Sequence, residues 1–300
     1  MSKKILITGA SGFLGWSLCQ AARAQGWTVQ GTYHRHLVTM AGIRLHRVDL
    51  TDFAALQEAI APIQPDAVIH AAAQARPNQC ELEPELAHRI NVEATLNLAA
   101  WCSDRAIPFS FISTNQVFDG TQAPYRETDP VSPINQYGEQ KVAAEQGVLQ
   151  RHPTALICRM PLMFGVAPTA PSFLQGFLQR LAKGEPLKLF TDEFRTPLSG
   201  ADAAQGILLA LGKTTGCLHL GGAERLSRYE FGQILATVMG WDESRLTACR
   251  QADVPMAAAR AADLTMDSHR ARALGYSPTA VKTALMAMNL GETGEGMGGY

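Results

Sequence analysis

Four side chains near the middle of the sequence have types and spacing suited to chemistry at an oxygen. Ser113 and Thr114 end an apolar run, and Tyr137 and Lys141 stand four residues apart, one turn along the same face of a helix. Hydride transfer to a carbonyl leaves negative charge on its oxygen, which then needs a proton donor and a second hydrogen bond. Tyr137 is the candidate donor and Thr114 the group that holds the oxygen. A free phenol titrates near pH ~10, and a cation close by lowers that value by favouring the phenolate. Lys141 would supply that cation and would also bond a nicotinamide ribose. Tyr-x-x-x-Lys alone is common on exposed helix faces, so the reading depends on a dinucleotide site elsewhere in the chain.

That site opens the sequence. Ile5, Leu6 and Ile7 form the short apolar run of a strand buried on both faces, and Gly9, Gly12 and Gly15 follow at intervals of three before a helical run from Trp16 to Gln25. Gly9 would allow a sharp turn, Gly12 a close approach of backbone to a pyrophosphate, and Gly15 a tight lie of helix on strand. The segment holding Ser11, Phe13 and Leu14 would then aim helix N-terminal N–H groups at phosphates. The second strand ends in Tyr33-His34-Arg35-His36, without the carboxylate that meets a ribose 2′-OH in NAD sites. NADPH is therefore the expected cofactor, with Arg35 either bonding the 2′-phosphate or standing as a solvated loop arginine.

Holding these groups together calls for alternating strands and helices. Strands are expected at 5–7, 28–33, 44–48, 65–70, 109–112 and 155–158, with helices at 52–60, 84–104 and 137–149 between them. This is an α/β fold: a Rossmann-type, doubly wound parallel sheet with right-handed crossovers, whose ligands bind beyond the C-terminal strand ends, where Thr114 and the glycine turn would meet. After Arg159 the rhythm changes. Residues 1–160 read as the dinucleotide-binding domain, with 195–220 returning to it. Residues 161–290 read as a smaller C-terminal α/β substrate lobe, with helices at 173–183, 202–211, 227–239 and 267–274 and a strand at 217–220. The glycine-rich tail, 291–300, is expected to be disordered.

Composition narrows the partners. The 300 residues are 46% apolar with a net charge of −1, enough for a sizeable core and without a basic stripe, so nucleic acid and anionic membrane surfaces are not expected. The six cysteines form no CxxC pair and read as buried thiols in a reducing cytoplasm. His34, His36 and His46 lack metal-ligand spacing, and no metal is expected. Glu81, Glu83 and Asp129 read as capping or surface carboxylates. No run approaches the length of a membrane span, and Met-Ser-Lys-Lys leaves no room for a signal peptide before the first strand.

Taken together, Thr8-Gly-x-x-Gly-x-x-Gly15, Asp49-Leu50, His70-Ala-Ala-Ala73, Asn91, Ser113-Thr114 and Tyr137 with Lys141 resemble the extended short-chain dehydrogenase/reductase family. Within it, Ser113-Thr-Asn-Gln-Val-Phe-Asp-Gly120 and Glu127-Thr-Asp-x-x-x-Pro133-x-Asn135-x-Tyr137-Gly-x-x-Lys141-x-x-x-Glu145 are similar to signatures of the dTDP-4-dehydrorhamnose reductase branch. The resemblance implies reduction of a 4-keto nucleotide sugar. It implies that Asp49, with Leu50, bonds the adenine side, that Ala71, Ala72, Ala73 and Ser113 line the nicotinamide side, and that Asn91 completes the cofactor set by supporting the active-site helix. Gln116 and Phe118 would lie near the sugar, and Arg195 would meet the nucleotide diphosphate or form a structural ion pair. Gln116 replaces the Tyr of the branch, Arg159-Met-Pro-Leu162-Met-Phe164-Gly165 lacks its Trp, and Gln74-Ala75-Arg76-Pro77-Asn78 replaces its T-x-V-D, so the substrate contacts differ. Asn115 and Gln116 stand where 4,6-dehydratases need two carboxyls. Two alternatives stay open: a 4-epimerase, and a cofactor-binding regulatory subunit like methionine adenosyltransferase β. Homodimers through the long helices are frequent among such proteins.

Overall fold

The computed structural model describes residues 2–36, 38–168 and 170–288; the tail expected to be disordered lies outside them. The first half runs β1 (Lys4–Thr8), α1 (Phe13–Ala24), β2 (Thr28–Tyr33), β3 (Arg44–Arg47), α2 (Phe53–Ile60), β4 (Ala67–His70), α3 (Pro77–Leu82), α4 (Pro84–His88), α5 (Ala94–Ser103), β5 (Phe109–Thr114), α6 (Gln136–Arg151) and β6 (Leu156–Met160). The second half contributes β7 (Met163–Phe164), α7 (Phe173–Ala182), β8 (Leu187–Phe190), β9 (Phe194–Arg195), β10 (Leu198–Ser199), α8 (Gly200–Ala210), β11 (Gly216–His219), β12 (Leu226–Ser227), α9 (Arg228–Met239), β13 (Leu246–Cys249), α10 (His269–Ala273) and α11 (Val281–Met286).

Seven of these strands form one parallel sheet in the order β11-β6-β5-β4-β1-β2-β3. The order reverses between β1 and β4, which opens a crevice at their C-terminal ends. Side chains alternate faces along each strand, so Ile5 and Ile7 pack with Leu14, Leu18 and Ile207 under α1 and α8. Leu6 packs on the other face with Phe111, Leu98 and Val148 under α5 and α6. The last strand, β11, comes from beyond the first half, and α8 runs against α1. Around them, β7 pairs with β10, β8 with β13 and β9 with β12, while α7, α9 and α11 share a core of Phe164, Leu174, Phe231, Leu235 and Leu285.

Local signals account for most boundaries. Asp52 accepts the Ala55 N–H at 3.0 Å and starts α2. Ser227 and Glu230 close a capping box on α9, which stops at left-handed Gly240. Three differences from the sequence reading bear on the site. The helical run expected over 84–104 is split by a π-helical segment at Arg89–Glu93, the kind of irregularity that often marks a functional position. The six-residue α3 is too short to show a period, and patterning did not announce it. Strand β5 runs two residues past 112, so Ser113 and Thr114 are its last residues. Among the described residues no helix is long and apolar enough to cross a membrane.

Candidate active site

Asn135 caps α6 by accepting the Gly138 N–H at 2.9 Å, and Glu81 accepts the Gln136 N–H at 2.9 Å. Two oxygens thereby satisfy orphan donors at the start of the helix and fix the turn carrying Tyr137. Asp129 likewise accepts a backbone donor, Arg126 N–H, at 2.7 Å.

Strand β5 delivers Thr114 to the crevice. Its Oγ1 accepts the Gln116 N–H at 3.2 Å, which leaves its own proton free to favour the ionised form of the neighbouring Tyr137 phenol. Tyr137 is 7% exposed and Lys141 2% exposed. The Lys141 ammonium donates to Ile112 O at 2.9 Å and lies 4.5 Å from the Phe111 ring centre and 5.9 Å from that of Tyr137. The sequence thus brings Thr114, Tyr137 and Lys141 into one buried cluster.

Its electrostatics differ from the expectation that Lys141 lowers the phenol. Burial, reinforced by the nearby Cys80, pushes Tyr137 up, opposed only by the Thr114 hydrogen bond. Burial also holds Lys141 down at about 8, opposed by Glu145 and Cys80. Near neutral pH the phenol keeps its proton and the ammonium its charge.

Asn91 lies fully buried in the π-helical segment. Its side chain takes the Gln74 N–H at 2.9 Å and donates to Gln74 O at 3.2 Å and to Gln140 Oε1 at 2.9 Å. It ties the turn after β4 to the residue preceding Lys141.

Three other expected site residues are taken up by protein partners. Ser113 turns away from the crevice and donates to Glu145 Oε1. Glu145 is also gripped by Arg159 at 2.7 Å in a pair whose side chains are each 5% exposed. Phe118 is fully buried, 4.1 Å from the Tyr125 ring and nearly parallel to it, because the turn after Thr114 folds it inward. Arg195 bonds the carbonyls of Phe194 at 2.6 Å, Ala261 at 3.0 Å and Ala262 at 3.4 Å, and lies 3.6 Å from Glu193, which is the structural role. Gln116 stays half-buried at the cleft, its Oε1 accepting from Asn135 Nδ2 at 3.2 Å.

Sequence reasoning missed the cations that remain available. Arg228 lies 3.5 Å from Glu193 and 4.3 Å from the Phe173 ring centre. Burial pushes it down to about 10 against the pull of Glu193, with Arg195 and Arg260 adding like charge. Arg228 Nη1, Arg260 Nε, Glu193 Oε2 and Thr196 Oγ1 are buried without a hydrogen-bond partner. Arg260 follows Ala259, whose carbonyl accepts from the α6 cap Asn135 at 3.1 Å, so this cluster adjoins the Tyr137 end of the crevice. Arginines scattered at 195, 228 and 260 carry no spacing signal.

The dinucleotide side has the shape its glycines imply. Gly9 has φ +68°, and a Cβ there would come within 2.7 Å of Ala72 Cα; one on Gly15 would come within 2.0 Å of Gly9 O. A Cβ on Gly12 would meet only Gly9 O, at 3.2 Å, so its outer side is open to an approaching group. Gly12 begins α1 with no side-chain cap and no acid in the first turn, leaving N–H groups and a positive helix end for phosphate. Ser11, Phe13, Leu50, Ala71, Ala72 and Ala73 are half-buried around this end, Leu14 is buried, and Arg35 is exposed. Asp49, oriented by the Thr51 N–H at 2.9 Å and hydroxyl at 2.7 Å, lies 3.5 Å from His34. These residues fit a dinucleotide. Among the described residues no group of three or more His, Cys, Asp or Glu could hold a metal ion.

A doubly wound parallel sheet with a glycine turn at its switch point and Thr, Tyr and Lys on the facing strand and helix is the frame of an extended short-chain dehydrogenase/reductase. The chain belongs to the RmlD substrate binding domain family, whose profile matches residues 3–290. It is 35% identical to the "Probable low-salt glycan biosynthesis reductase Agl14" of Haloferax volcanii, over 94% of this chain and 96% of that one. It is 31% identical to methionine adenosyltransferase 2 subunit beta of Xenopus laevis, over 82% of this chain and 75% of that one. Its fold matches, with a TM-score of 0.85 over 97% of this chain and all of the other, dTDP-4-dehydrorhamnose reductase from Bacillus anthracis in complex with NADP, at 24% identity.

Proposed function

We propose that the protein is an NADPH-dependent reductase of a 4-keto nucleotide sugar, of the dTDP-4-dehydrorhamnose reductase type. The observation that carries the reading is the buried Thr114, Tyr137 and Lys141 cluster at the switch point, beside an uncapped glycine turn. NADPH supplies the hydride when bound. Gly9, Ser11, Gly12, Phe13, Leu14 and Gly15 would hold its phosphates, Asp49 and Leu50 its adenine side, Arg35 its 2′-phosphate, and Ala71 to Ala73 its nicotinamide side. Thr114 bonds the ketone oxygen, Tyr137 gives it a proton, and the Lys141 charge favours the phenolate left behind. Arg228 and Arg260 would meet the diphosphate, since they stand half-buried near Arg195 and Glu193, where like charges gather and donors are left without partners.

The regulatory-subunit reading is favoured by the similarity to the methionine adenosyltransferase subunit. The intact Thr114, Tyr137 and Lys141 set favours an enzyme. A 4-epimerase needs the same three groups with a tightly retained cofactor. Consumption of NADPH with a dTDP-4-keto-6-deoxysugar separates the reductase from both. Tyr137→Phe lowers kcat by ~10²–10⁴-fold and leaves NADPH affinity within about twofold, because the hydroxyl acts on substrate oxygen. NADPH binding without turnover across a panel of keto sugars sinks the reductase reading. NADH bound as tightly as NADPH sinks the role of Arg35. The six free cysteines support a cytoplasmic location, and sedimentation of the purified protein tests the expected homodimer.

A further inference from the structure

Beneath the glycine turn runs a line of side-chain hydrogen bonds sealed from solvent. Thr8 Oγ1 lies 2.6 Å from His70 Nδ1, His70 Nε2 lies 3.0 Å from Thr95 Oγ1, and Thr95 Oγ1 lies 2.8 Å from Asn91 O. Thr8 and Asn91 are 0% exposed, and His70 and Thr95 are 1% exposed.

The protons along this line have only one arrangement. A carbonyl accepts only, so Thr95 must donate its single proton to Asn91 O. Thr95 Oγ1 is then an acceptor for His70, and Nε2 carries the imidazole proton. Nδ1 is left bare and takes the Thr8 proton, while Thr8 Oγ1 accepts the Ala72 N–H at 3.3 Å. A second proton on the ring would face the Thr8 proton inside a dry site. Burial and the Lys141 charge also hold His70 down at about 3. The Phe109 and Phe111 rings flank it, 6.3 and 6.0 Å away.

The two ends of the line belong to different halves of the site. Thr8 precedes Gly9, whose turn presses on Ala72. Asn91 grips Gln74 and Gln140, next to Lys141. We infer that His70 is a positioning residue: a neutral imidazole locked as the Nε2–H tautomer, which sets the dinucleotide turn at Gly9 and Ala72 and the catalytic helix at Gln140 and Lys141 in one register through Thr8, Thr95 and Asn91. The cofactor half of this inference rests on the reductase reading; the tautomer does not.

Nitrogen NMR of the intact protein reads the tautomer directly. His70 shows a protonated Nε2, a bare Nδ1 and no titration between about pH 5 and 8; a proton on Nδ1, or a ring that titrates there, overturns the inference. NADPH binding to Thr8→Val, Thr95→Val and the double variant reads the coupling. Thr95 is near neither the phosphates nor Tyr137 along the chain, yet Thr95→Val weakens NADPH about fivefold, and the double variant loses clearly less than the product of the single losses. Thr95→Ser, which keeps the hydroxyl, restores wild-type affinity and guards against a poorly folded valine variant. Unchanged affinity in Thr95→Val, losses that multiply, or no rescue by serine overturns the coupling. A wild-type protein that binds NADPH but reduces no keto sugar defeats the functional reading instead, and leaves the cycle and the spectrum to judge this one.

Discussion

Lys141 is the group through which pH reaches the chemistry. An ammonium 2% exposed has lost most of its hydration, and it donates to a neutral carbonyl, Ile112 O. Burial therefore holds it at about 8, with Glu145, one turn further along α6, pulling the other way. The ammonium is charged below that value and neutral above it, so kcat for ketone reduction stays level through neutral pH and falls as pH rises past about 8. Lys141→Met lowers kcat by ~10²-fold and abolishes that limb. Glu145→Gln moves the limb to lower pH, because removing the carboxylate removes the interaction that raises the ammonium. A limb that stays in place in both variants assigns it to another group. The phenol is raised by burial, so it remains a donor throughout this range.

At the scale of elements, α1 has to lie hard against the turn that precedes it. A Cβ on Gly15 would stand 2.0 Å from Gly9 O and 2.8 Å from Ala10 Cα, both backbone atoms that no rotamer change can move. Gly15→Ala therefore costs about 3 kcal/mol or more in urea unfolding and weakens NADPH with it. Gly176, inside α7, has nothing within 4 Å of its missing Cβ, and Gly176→Ala stabilises by about 0.5–1 kcal/mol. Equal effects at the two glycines would break the link between the turn and its packing. The same contrast explains what was legible in the sequence. Spacing announces contacts made along one element or at its ends: the glycine turn, the helix starts at Asp52 and Ser227, and the Tyr137 and Lys141 pair all rest on near neighbours in the chain. Phe118 and Ser113 were misplaced because the inward turn after Thr114 depends on Tyr125 and Glu145, which no local pattern links to it. Arg228 and Arg260 reach the crevice from separate segments, and the split at Arg89–Glu93 reflects a tie between Asn91 and Gln74 that helical period alone does not encode.

Over the whole molecule the buried titratable groups set a window of stability. His70 and His219 are each held down at about 3, His70 by burial and Lys141, His219 by burial and Arg159. A histidine in the unfolded chain takes up its proton near pH ~6.5, so below that the unfolded state binds more protons and stability is lost as pH falls toward 3. On the alkaline side burial pushes Cys19 and Cys158 up to about 12 and Cys80 and Cys217 up to about 11, with Cys102 raised further. Unfolded thiols ionise near 9, so above that the unfolded state releases protons that the folded state keeps, and stability is lost as pH rises. Lys141 acts oppositely: its folded value lies below the unfolded one, so its burial is destabilising at neutral pH and that cost is relieved between about 8 and 10.5. One lysine cannot offset several thiols, since each group contributes at most ~1.4 kcal/mol per pH unit. Against a typical domain stability of roughly 5–15 kcal/mol, the expected result is a cooperative alkaline transition within about two pH units of 9 and a shallower acid limb below about 6.5. Circular dichroism melts under reducing conditions across this range check it. A melting temperature that stays flat up to pH ~11 would mean that the thiols already meet solvent in the folded state, and that the two cores on either side of the sheet are looser than the structure shows.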